Sequence, residues 1–248
     1  MRQVLAQAQV ALMLLTRLPA GGLETAPPMA RSVWAWPLVG ALVGGIAALV
    51  YGAASLVLPP MACALLAMAA AVLATGGLHE DGLADCADGF GGGTTRARKL
   101  EILRDSRIGS YGVLALGLVL ALRATALAHL PPAQAMTALV AMGAASRALL
   151  PLWLRLLPPA RADGLGRAAM GPTRGGVLVA GLLGLAALLL LLLGPVAALV
   201  TGAAMLAASA AFAGLALRQI GGQTGDVLGA QQQVADLAGL LALLALAG

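Results

Sequence analysis

Charged side chains are scarce in this sequence. Only 10% of the 248 residues are Asp, Glu, Lys or Arg, whereas 60% are hydrophobic, and the mean hydropathy is +0.94. An ordinary soluble domain carries about 25% charged residues, so this composition excludes that class. Apolar stretches of about 20 residues recur along the chain, and each can cross a hydrocarbon core of about 30 Å as a helix. The sequence therefore predicts an integral membrane protein.

Cysteine is nearly absent as well, since Cys63 and Cys86 are the only two. They fall in segments that we place on opposite sides of the membrane, so no disulfide is expected. The sequence also lacks a Cys-x-x-Cys motif and the His-rich spacing of a zinc site. These absences exclude a disulfide scaffold and a zinc centre of that type.

The net charge of +5 is compatible with nucleic-acid binding. The basic residues, however, flank the apolar stretches, where they serve as topology signals for membrane insertion. We therefore predict contact with a lipid bilayer and no nucleic-acid partner.

The apolar pattern predicts an all-α integral membrane protein, folded as a single polytopic domain over residues 1–248. We expect one bundle of about six to seven transmembrane helices. Residues 2–17 include Arg17 and are followed by no good cleavage site, so they predict an uncleaved helix that is interfacial or re-entrant. The predicted spans are 33–57, 61–78, 111–129, 133–154, 176–193, 196–217 and a shorter segment at 234–247.

The links between the predicted spans are of two kinds. The links at 58–60, 129–132 and 194–195 are short, contain proline and carry no Asp, Glu, Lys or Arg, whereas the other links hold most of the arginines. By the positive-inside rule the arginine-rich links and the N-terminus are cytoplasmic, and we place the protein in the bacterial inner membrane. Residues 234–247 rise only about 21 Å, so whether this segment crosses or re-enters is left open.

One segment concentrates negative charge: Glu80, Asp81, Asp85 and Asp88 lie within nine residues. On a helix, the spacing of Asp81, Asp85 and Asp88 puts all three on one face. Carboxylates this close repel each other, and a divalent cation would compensate the charge. We therefore predict that these four residues bind a metal ion.

The chain continues from the acidic segment into glycines and cations. The glycines at 91–93 allow backbone N–H groups to approach an anion, and Thr94 or Thr95 can cap a following helix. Arg104 and Arg107 are candidates for binding phosphate. A metal beside cations that bind phosphate is the arrangement that phosphoryl transfer requires. The alternative is a solvated cytoplasmic loop whose arginines only set the topology.

Four further residues outside the acidic face are candidates for function. Asp226 lies in a second glycine-rich segment, which we expect to form another loop of the same site or a plain connector. Arg147 lies inside a predicted span, where a charge normally faces a partner or a cavity, and Arg123 either does the same or snorkels. His79 adjoins the acidic run and is either a general base or a structural histidine.

Four motifs make the sequence resemble the cobalamin synthase family, the adenosylcobinamide-GDP ribazoletransferases. The most specific is GLHEDGLADCADG at 77–89, which is followed by DSRIGSYG at 105–112. LTRLP at 15–19 and GGQTGDVLGA at 221–230 also match, so the resemblance extends over nearly the whole chain. One position departs from the family pattern, because Gln233 stands where an acidic residue is expected, three residues before Asp236.

The resemblance implies a magnesium-dependent transferase of late coenzyme B12 synthesis. The ribose 3'-hydroxyl of alpha-ribazole, or of its 5'-phosphate, would attack adenosylcobinamide-GDP and release GMP. The active-site segments would be cytoplasmic, at about 77–112 and 219–232. The implied catalytic residues are His79, Asp81, Asp85 and Asp88, the implied Mg²⁺ ligands are Glu80, Asp81, Asp85 and Asp88, and the implied substrate-binding residues are Arg104, Asp105, Arg107, Arg147, Thr224 and Asp226.

Several questions are left open by the sequence. The general base is not assigned, and neither are the oligomeric state, the position of the corrin ring or contacts with other enzymes of the pathway. A small transporter or ion-coupled carrier is the alternative function, and it would concentrate ionisable residues near the bilayer midplane. A lipid-type phosphotransferase is a third candidate, but Gly92 and Gly93 stand where the CDP-alcohol phosphatidyltransferase motif requires Ala-Arg.

Overall fold

The computed structural model describes residues 2–192 and 194–247, apart from the side chain of Leu165. It confirms the all-α class, and the only β pairing within these residues is an isolated bridge between Pro159 and Gln223. Two short 3-10 helices, Met29–Arg31 and Val33–Ala35, precede the second α-helix. The α-helices are α1 (Arg2–Leu15), α2 (Trp36–Ala54), α3 (Pro60–Thr75), α4 (Leu78–Gly92), α5 (Arg96–Ile102), α6 (Ser110–His129), α7 (Pro132–Leu156), α8 (Leu165–Ala168), α9 (Arg174–Leu191), α10 (Pro195–Ile220) and α11 (Gly225–Ala247).

The predicted number of spans, six to seven, is confirmed. Six helices are long and apolar enough to cross a membrane, namely α2, α6, α7, α9, α10 and α11, and α3 together with α4 forms a bent pair that brings the number to seven. Large apolar side chains on these helices are exposed, as expected for contact with lipid, and Leu73, Leu118 and Leu190 are 78%, 65% and 82% exposed. Helix α1 is not among the spans and packs against α2 and the two 3-10 helices.

Glycine allows the two central helices of the bundle to approach closely. A Cβ atom at Gly40 would collide with the carbonyl of Gly143, and one at Gly44 would collide with the carbonyl of Leu139. The backbones of α2 and α7 are therefore in direct contact, which is the usual consequence of small residues four apart in membrane helices. Helix α7 lies at the centre of the bundle, with α2, α9 and α11 around it.

Helix α4 lies across one end of the bundle rather than within it. Gly76 and Gly77 adopt left-handed conformations, with φ of 69° and 72°, and α4 turns by 91° from the axis of α3. It contacts the first residues of α6 through Gly109 and the first residues of α11 through Asp226. We therefore count α3 as the seventh span and α4 as a helix at the end of the bundle, outside the spans.

The prediction for the last span was wrong in its length. Helix α11 begins at Gly225 and comprises 23 residues, a rise of about 34 Å, which is enough to cross a bilayer. The predicted segment was too short because polar residues interrupt the apolar pattern in the first half of α11. In the structure, these residues are buried against other helices: Gln231, Gln232, Gln233 and Asp236. The glycine-rich segment 221–230, which we expected to form a loop or a connector, therefore includes the first six residues of α11.

Candidate active site at the end of the bundle

The acidic helix α4 and the start of α11 cross at two glycines. A Cβ atom at Gly82 would lie 2.6 Å from the carbonyl oxygen of Asp226, and one at Gly229 would lie 3.3 Å from the Cα atom of His79. Only glycine permits this separation of the two backbones. As a result, the segment around Asp226 lies directly beside the acidic helix α4.

Asp81 and Asp85 are the two carboxylates of α4 that line a large cavity. The cavity has a volume of about 890 Å³, and Arg17 and Ser106 also line it. Within residues 2–192 and 194–247, neither Asp81 nor Asp85 forms an ion pair. Burial, together with the charges of Asp81, Asp226 and Asp88, raises the pKa of Asp85 to about 7. This pair of carboxylates therefore lacks a positive partner.

Asp226 lies at the edge of a second, smaller cavity of about 210 Å³. The guanidinium of Arg161 donates to Oδ2 of Asp226 in an ion pair, and the hydroxyl of Thr224 donates to the same oxygen over 3.1 Å. The two side chains of the ion pair are largely buried, with 15% of Arg161 and 26% of Asp226 exposed. Thr224, Asp226 and Arg161 therefore form one hydrogen-bonded group.

The structure does not place Asp88 with the other two aspartates of the predicted face. Its two carboxylate oxygens accept hydrogen bonds from the backbone N–H groups of Gly109 and Gly112, over 2.7 and 2.9 Å. These N–H groups are at the start of α6, where a helix leaves donors unsatisfied and favours a negative charge. Asp88 therefore caps α6, and its predicted role as a metal ligand is not supported.

Replacing Asp88 by Ala should destabilise the protein, because two backbone donors at the start of α6 lose their acceptor. We expect the free energy of unfolding to fall by about 2 kcal/mol. Equilibrium unfolding in detergent micelles measures this change, with Asp81→Ala as the control because Asp81 has no such contact. An Asp88→Ala protein as stable as the wild type would contradict the capping role.

Glu80 is also separated from Asp81 and Asp85, because its side chain reaches into the bundle. It accepts a hydrogen bond of 2.8 Å from Nε2 of Gln233, whose Oε1 in turn accepts one of 2.8 Å from Arg123. Arg123 forms an ion pair of 2.9 Å with Asp236. In the part of the chain that the structure describes, no three or more His, Cys, Asp or Glu side chains are close enough to hold one metal ion. The structure therefore does not bring the four predicted ligands to one point, and only Asp81 and Asp85 of the four line the larger cavity.

Arg147 belongs to the same interior cluster and not to the two cavities at the end of the bundle. Its guanidinium donates to the carbonyl of Gly143 over 3.2 Å, and it lines a cavity of about 40 Å³ with Glu80, Arg123 and Asp236. The prediction that Arg147 binds phosphate is not supported by this position. Arg123 does not snorkel but has a buried partner.

The three candidates from the segment after α5 lie on the surface. Arg104 pairs with Asp163, and Arg107 pairs with Asp105 over 2.7 Å. Hydrogen bonds from Arg107 lower the pKa of Asp105 to about 2. None of Arg104, Asp105 and Arg107 lines either of the two cavities in this arrangement.

Two of the three glycines after the acidic face, Gly91 and Gly93, have a structural function that the sequence did not predict. A Cβ atom at Gly91 would come within 2.8 Å of the Tyr111 ring, and one at Gly93 would collide with Lys99. The N–H group of Gly93 bonds to the carbonyl of Gly89 over 3.1 Å, which leaves it unable to bind an anion. Thr95 caps α5, as expected, by accepting from the N–H group of Arg98.

His79 lies at the crossing of α4 and α11 and lines the smaller cavity. It is only 2% exposed, and its Nε2 atom has no hydrogen-bond partner among the described residues. Burial, with smaller effects of Arg147 and Arg123, holds the pKa of His79 well below its usual value. The ring is therefore neutral near pH 7.

Two arginines at the site were not among the predicted site residues. Arg17 lines the larger cavity with Asp81 and Asp85, and Arg161 pairs with Asp226. Both had been interpreted as topology signals because each lies near a span. The available signal for Arg17 was its position inside the LTRLP motif, whereas only the fold places Arg161.

The chain is similar to known proteins over nearly its whole length. The cobalamin-5-phosphate synthase family matches residues 7–244. The chain is 48% identical over 243 residues to the adenosylcobinamide-GDP ribazoletransferase of Mesorhizobium japonicum, covering 97% of this chain and 93% of that protein. It is 49% identical over 244 residues to the protein of the same name from Bradyrhizobium diazoefficiens, covering 97% and 94%. No solved structure matches significantly.

Proposed function

The chain belongs to the cobalamin-5-phosphate synthase family, and from this premise we propose that it is a Mg²⁺-dependent adenosylcobinamide-GDP ribazoletransferase. The ribose 3'-hydroxyl of alpha-ribazole, or of its 5'-phosphate, attacks the phosphorus on the cobinamide side of the pyrophosphate. A new O–P bond forms, the P–O bond to GMP breaks, and GMP leaves. The product is adenosylcobalamin or its 5'-phosphate.

The unpaired carboxylates Asp81 and Asp85 on the larger cavity carry this proposal. Mg²⁺ is commonly bound by one or two protein carboxylates together with the phosphate oxygens of the substrate, so two ligands fit the ion. Asp81 and Asp85 would hold the ion there, and when bound it would supply positive charge to offset the charge that develops on the leaving GMP. Burial is the main cause of the raised pKa of Asp85, and the neighbouring carboxylates add a repulsion that a bound cation would relieve.

Other residues of the chain bind the phosphates and receive the proton. Arg17 is exposed at the wall of the larger cavity and can bind a phosphate oxygen. Asp226 and His79 are the groups at the smaller cavity that can accept the proton of the attacking hydroxyl. The Arg161 ion pair holds Asp226 in place.

The proposed orientation puts this end of the bundle in the cytoplasm of a bacterial inner membrane. Arg96, Arg98, Lys99, Arg161 and Arg174 all lie in the links at this end. An excess of Arg and Lys is typical of cytoplasmic links. The nucleotide substrates would then reach the site from the compartment that contains them.

The direct test incubates the purified protein in lipid with adenosylcobinamide-GDP, alpha-ribazole and Mg²⁺. We expect GMP and the joined cobalamin product in equal amounts. The absence of GMP with any divalent metal would contradict the proposed function.

The carrier alternative predicts ionisable residues inside the bundle, near the bilayer midplane. Glu80, Arg123, Arg147 and Asp236 are ionisable groups inside the bundle, which is the placement expected of a carrier. The cavity between them is only about 40 Å³, roughly the space of one or two water molecules. It therefore offers no path for a solute, and the enzyme remains the better supported function.

The requirement for Mg²⁺ should depend on pH because of Asp85. Its pKa is raised from 3.8 to about 7, so below pH 7 the carboxyl holds a proton that a bound cation must displace. We expect the apparent affinity for Mg²⁺ to fall by about tenfold for each pH unit below 7 and to level off above it. Titration of GMP release with Mg²⁺ between pH 5.5 and about 8.5 measures this dependence. A Mg²⁺ affinity independent of pH would argue against Asp85 as a ligand.

A further inference from the structure

The four carboxylates of α4 fall into two pairs with different surroundings. Glu80 and Asp88 each accept hydrogen bonds from another helix, Glu80 from Gln233 of α11 and Asp88 from N–H groups at the start of α6. Asp81 and Asp85 have no ion-pair partner among the described residues and line the larger cavity. The two bonded carboxylates therefore lie on either side of the two that lack an ion pair.

The direction of Glu80 determines where Asp81 points. Consecutive residues of a helix point in directions about 100° apart, and Asp85 shares the face of Asp81 because it follows four residues later. Asp81 is exposed, whereas Glu80 is partly buried and lines the interior cavity of about 40 Å³. A rotation of α4 by one residue would carry Glu80 out of the bundle and turn both aspartates away from the larger cavity.

A chain of polar contacts holds Glu80 inside the bundle. Nε2 of Gln233 donates to Oε1 of Glu80 over 2.8 Å, and Oε1 of Gln233 accepts from the guanidinium of Arg123 over 2.8 Å. Arg123 in turn pairs with Asp236 over 2.9 Å. Gln233, Arg123 and Asp236 are all buried, so water competes little for these contacts. The chain links the first turn of α4 to α6 and α11.

The amide of Gln233 is suited to the centre of this chain. Among the described residues, two carboxylates and two guanidinium groups line the interior cavity, so their charges balance: Glu80, Asp236, Arg123 and Arg147. An amide joins a carboxylate to a guanidinium because it supplies one donor group and one acceptor, whereas an ionised carboxylate only accepts. Gln233, the position at which the sequence departs from the family pattern, therefore donates to Glu80 without adding a third negative charge.

We propose that Glu80 is a positioning residue, whose bond to Gln233, supported by Arg123, fixes the rotation of α4 so that Asp81 and Asp85 face the larger cavity. This role rests on the proposed function, in which the two aspartates hold the cation. It assigns the carboxylate of Glu80 to the interior cluster and not to the ion.

Cys86 provides a measurement that requires neither metal nor substrate. It lies on α4, is 1% exposed and belongs to an apolar cluster with residues of α10 and α11. Glu80→Ala and Gln233→Leu each remove the contact that holds the first turn of α4. We expect both to raise the rate at which a water-soluble maleimide modifies Cys86 by about tenfold or more, because α4 then opens more often. Cys63, which is buried in α3, is the internal control and should react as in the wild type.

The same two variants should weaken Mg²⁺ binding. Removal of a group that orients a metal ligand typically changes metal affinity or activity by about 10- to 100-fold. We expect a loss of this size in the Mg²⁺ affinity measured by calorimetric titration and in the turnover number for GMP release. The double variant should lose no more than either single variant, since both substitutions break the same contact.

Glu80→Gln distinguishes positioning from metal binding. Its amide oxygen still accepts from Gln233, but it has no charge for a cation. In the folded protein we expect the modification rate of Cys86, the Mg²⁺ affinity and the turnover to stay within about threefold of the wild type, below the range for a lost orienting contact.

Gln231→Leu is the matched control. Gln231 is a buried glutamine of the same helix, two residues before Gln233, and its Nε2 atom donates to the carbonyl of Ser209 in α10 over 3.4 Å. Because this contact does not involve α4, the modification rate of Cys86 and the Mg²⁺ affinity should remain at the wild-type level.

The outcomes separate the positioning role from the proposed function. A loss of about a thousandfold in GMP release by Glu80→Gln, as expected for a metal ligand, would overturn the positioning role while turnover by the wild type upheld the function. Unchanged modification of Cys86 in Glu80→Ala and Gln233→Leu, or an equal rise at Cys63, would also overturn it. Faster modification of Cys86 alone, with weaker Mg²⁺ binding but no GMP release by the wild type, would uphold the positioning role and contradict the function.

Discussion

An Asp85→Asn protein is expected to release GMP at least about a thousandfold more slowly than the wild type at saturating substrates. The substitution keeps the size of the side chain but removes the negative charge that a cation requires. A thousandfold loss corresponds to about 4 kcal/mol of transition-state stabilisation, which is within the range of a metal that neutralises a leaving phosphate. Steady-state assays over a wide range of Mg²⁺ concentration measure the effect.

A matched variant separates this effect from a general loss of negative charge. Glu101→Gln removes a carboxylate from α5, where Glu101 pairs with Arg98 and 69% of its side chain is exposed. We expect its turnover to remain at the wild-type level. Full activity of Asp85→Asn would exclude Asp85 from the catalytic site, and a loss of folded Asp85→Asn protein from the membrane would indicate that the residue is structural.

Breaking the buried ion pair between Arg123 and Asp236 should have the largest effect on stability. The exposed fractions of the two side chains are 11% and 4%, so an unpaired partner would remain charged inside the bundle. We expect Arg123→Met and Asp236→Leu each to lower the free energy of unfolding by about 3–5 kcal/mol. Unfolding of the protein in detergent micelles, followed by circular dichroism, measures both changes.

The double variant provides the decisive comparison for this ion pair. Arg123→Met combined with Asp236→Leu replaces both charges by apolar groups, so it should be more stable than either single variant. The exposed pair of Arg98 and Glu101 is the control, and breaking it should change stability little. If the losses of the two single variants simply added in the double variant, the pair would contribute no interaction of its own.

The acidic helix shows how far the sequence could predict the site. The spacing of Asp81 and Asp85 predicts a common face on a helix, and the structure confirms it because helical periodicity is a local property. The partners of the neighbouring carboxylates are distant in the chain. Asp88 bonds to residues 21 and 24 positions away, and Glu80 bonds to Gln233, 153 positions away. No local pattern predicts such contacts.

The last helix shows the same limit of prediction from the sequence, in this case for the fold. Hydropathy located the spans at nearly the right residues, because lipid exposure selects apolar side chains over about 20 positions. It failed at the start of α11, where three glutamines and Asp236 are buried against other helices and so are not exposed to lipid. Such polar residues can be assigned to a membrane span only when their partners inside the bundle are known.

Composition, helical periodicity and short motifs predict the membrane class, the number of spans, the family and the segment that contains the acidic face. Each of these features is carried by residues that are close together in the chain. The folded chain was needed to find which carboxylates lack an ion-pair partner among the described residues and which arginines line the two cavities at the end of the bundle. Charge pairing and burial depend on contacts between distant residues, such as those of α4 with the starts of α6 and α11, so no local pattern predicts them.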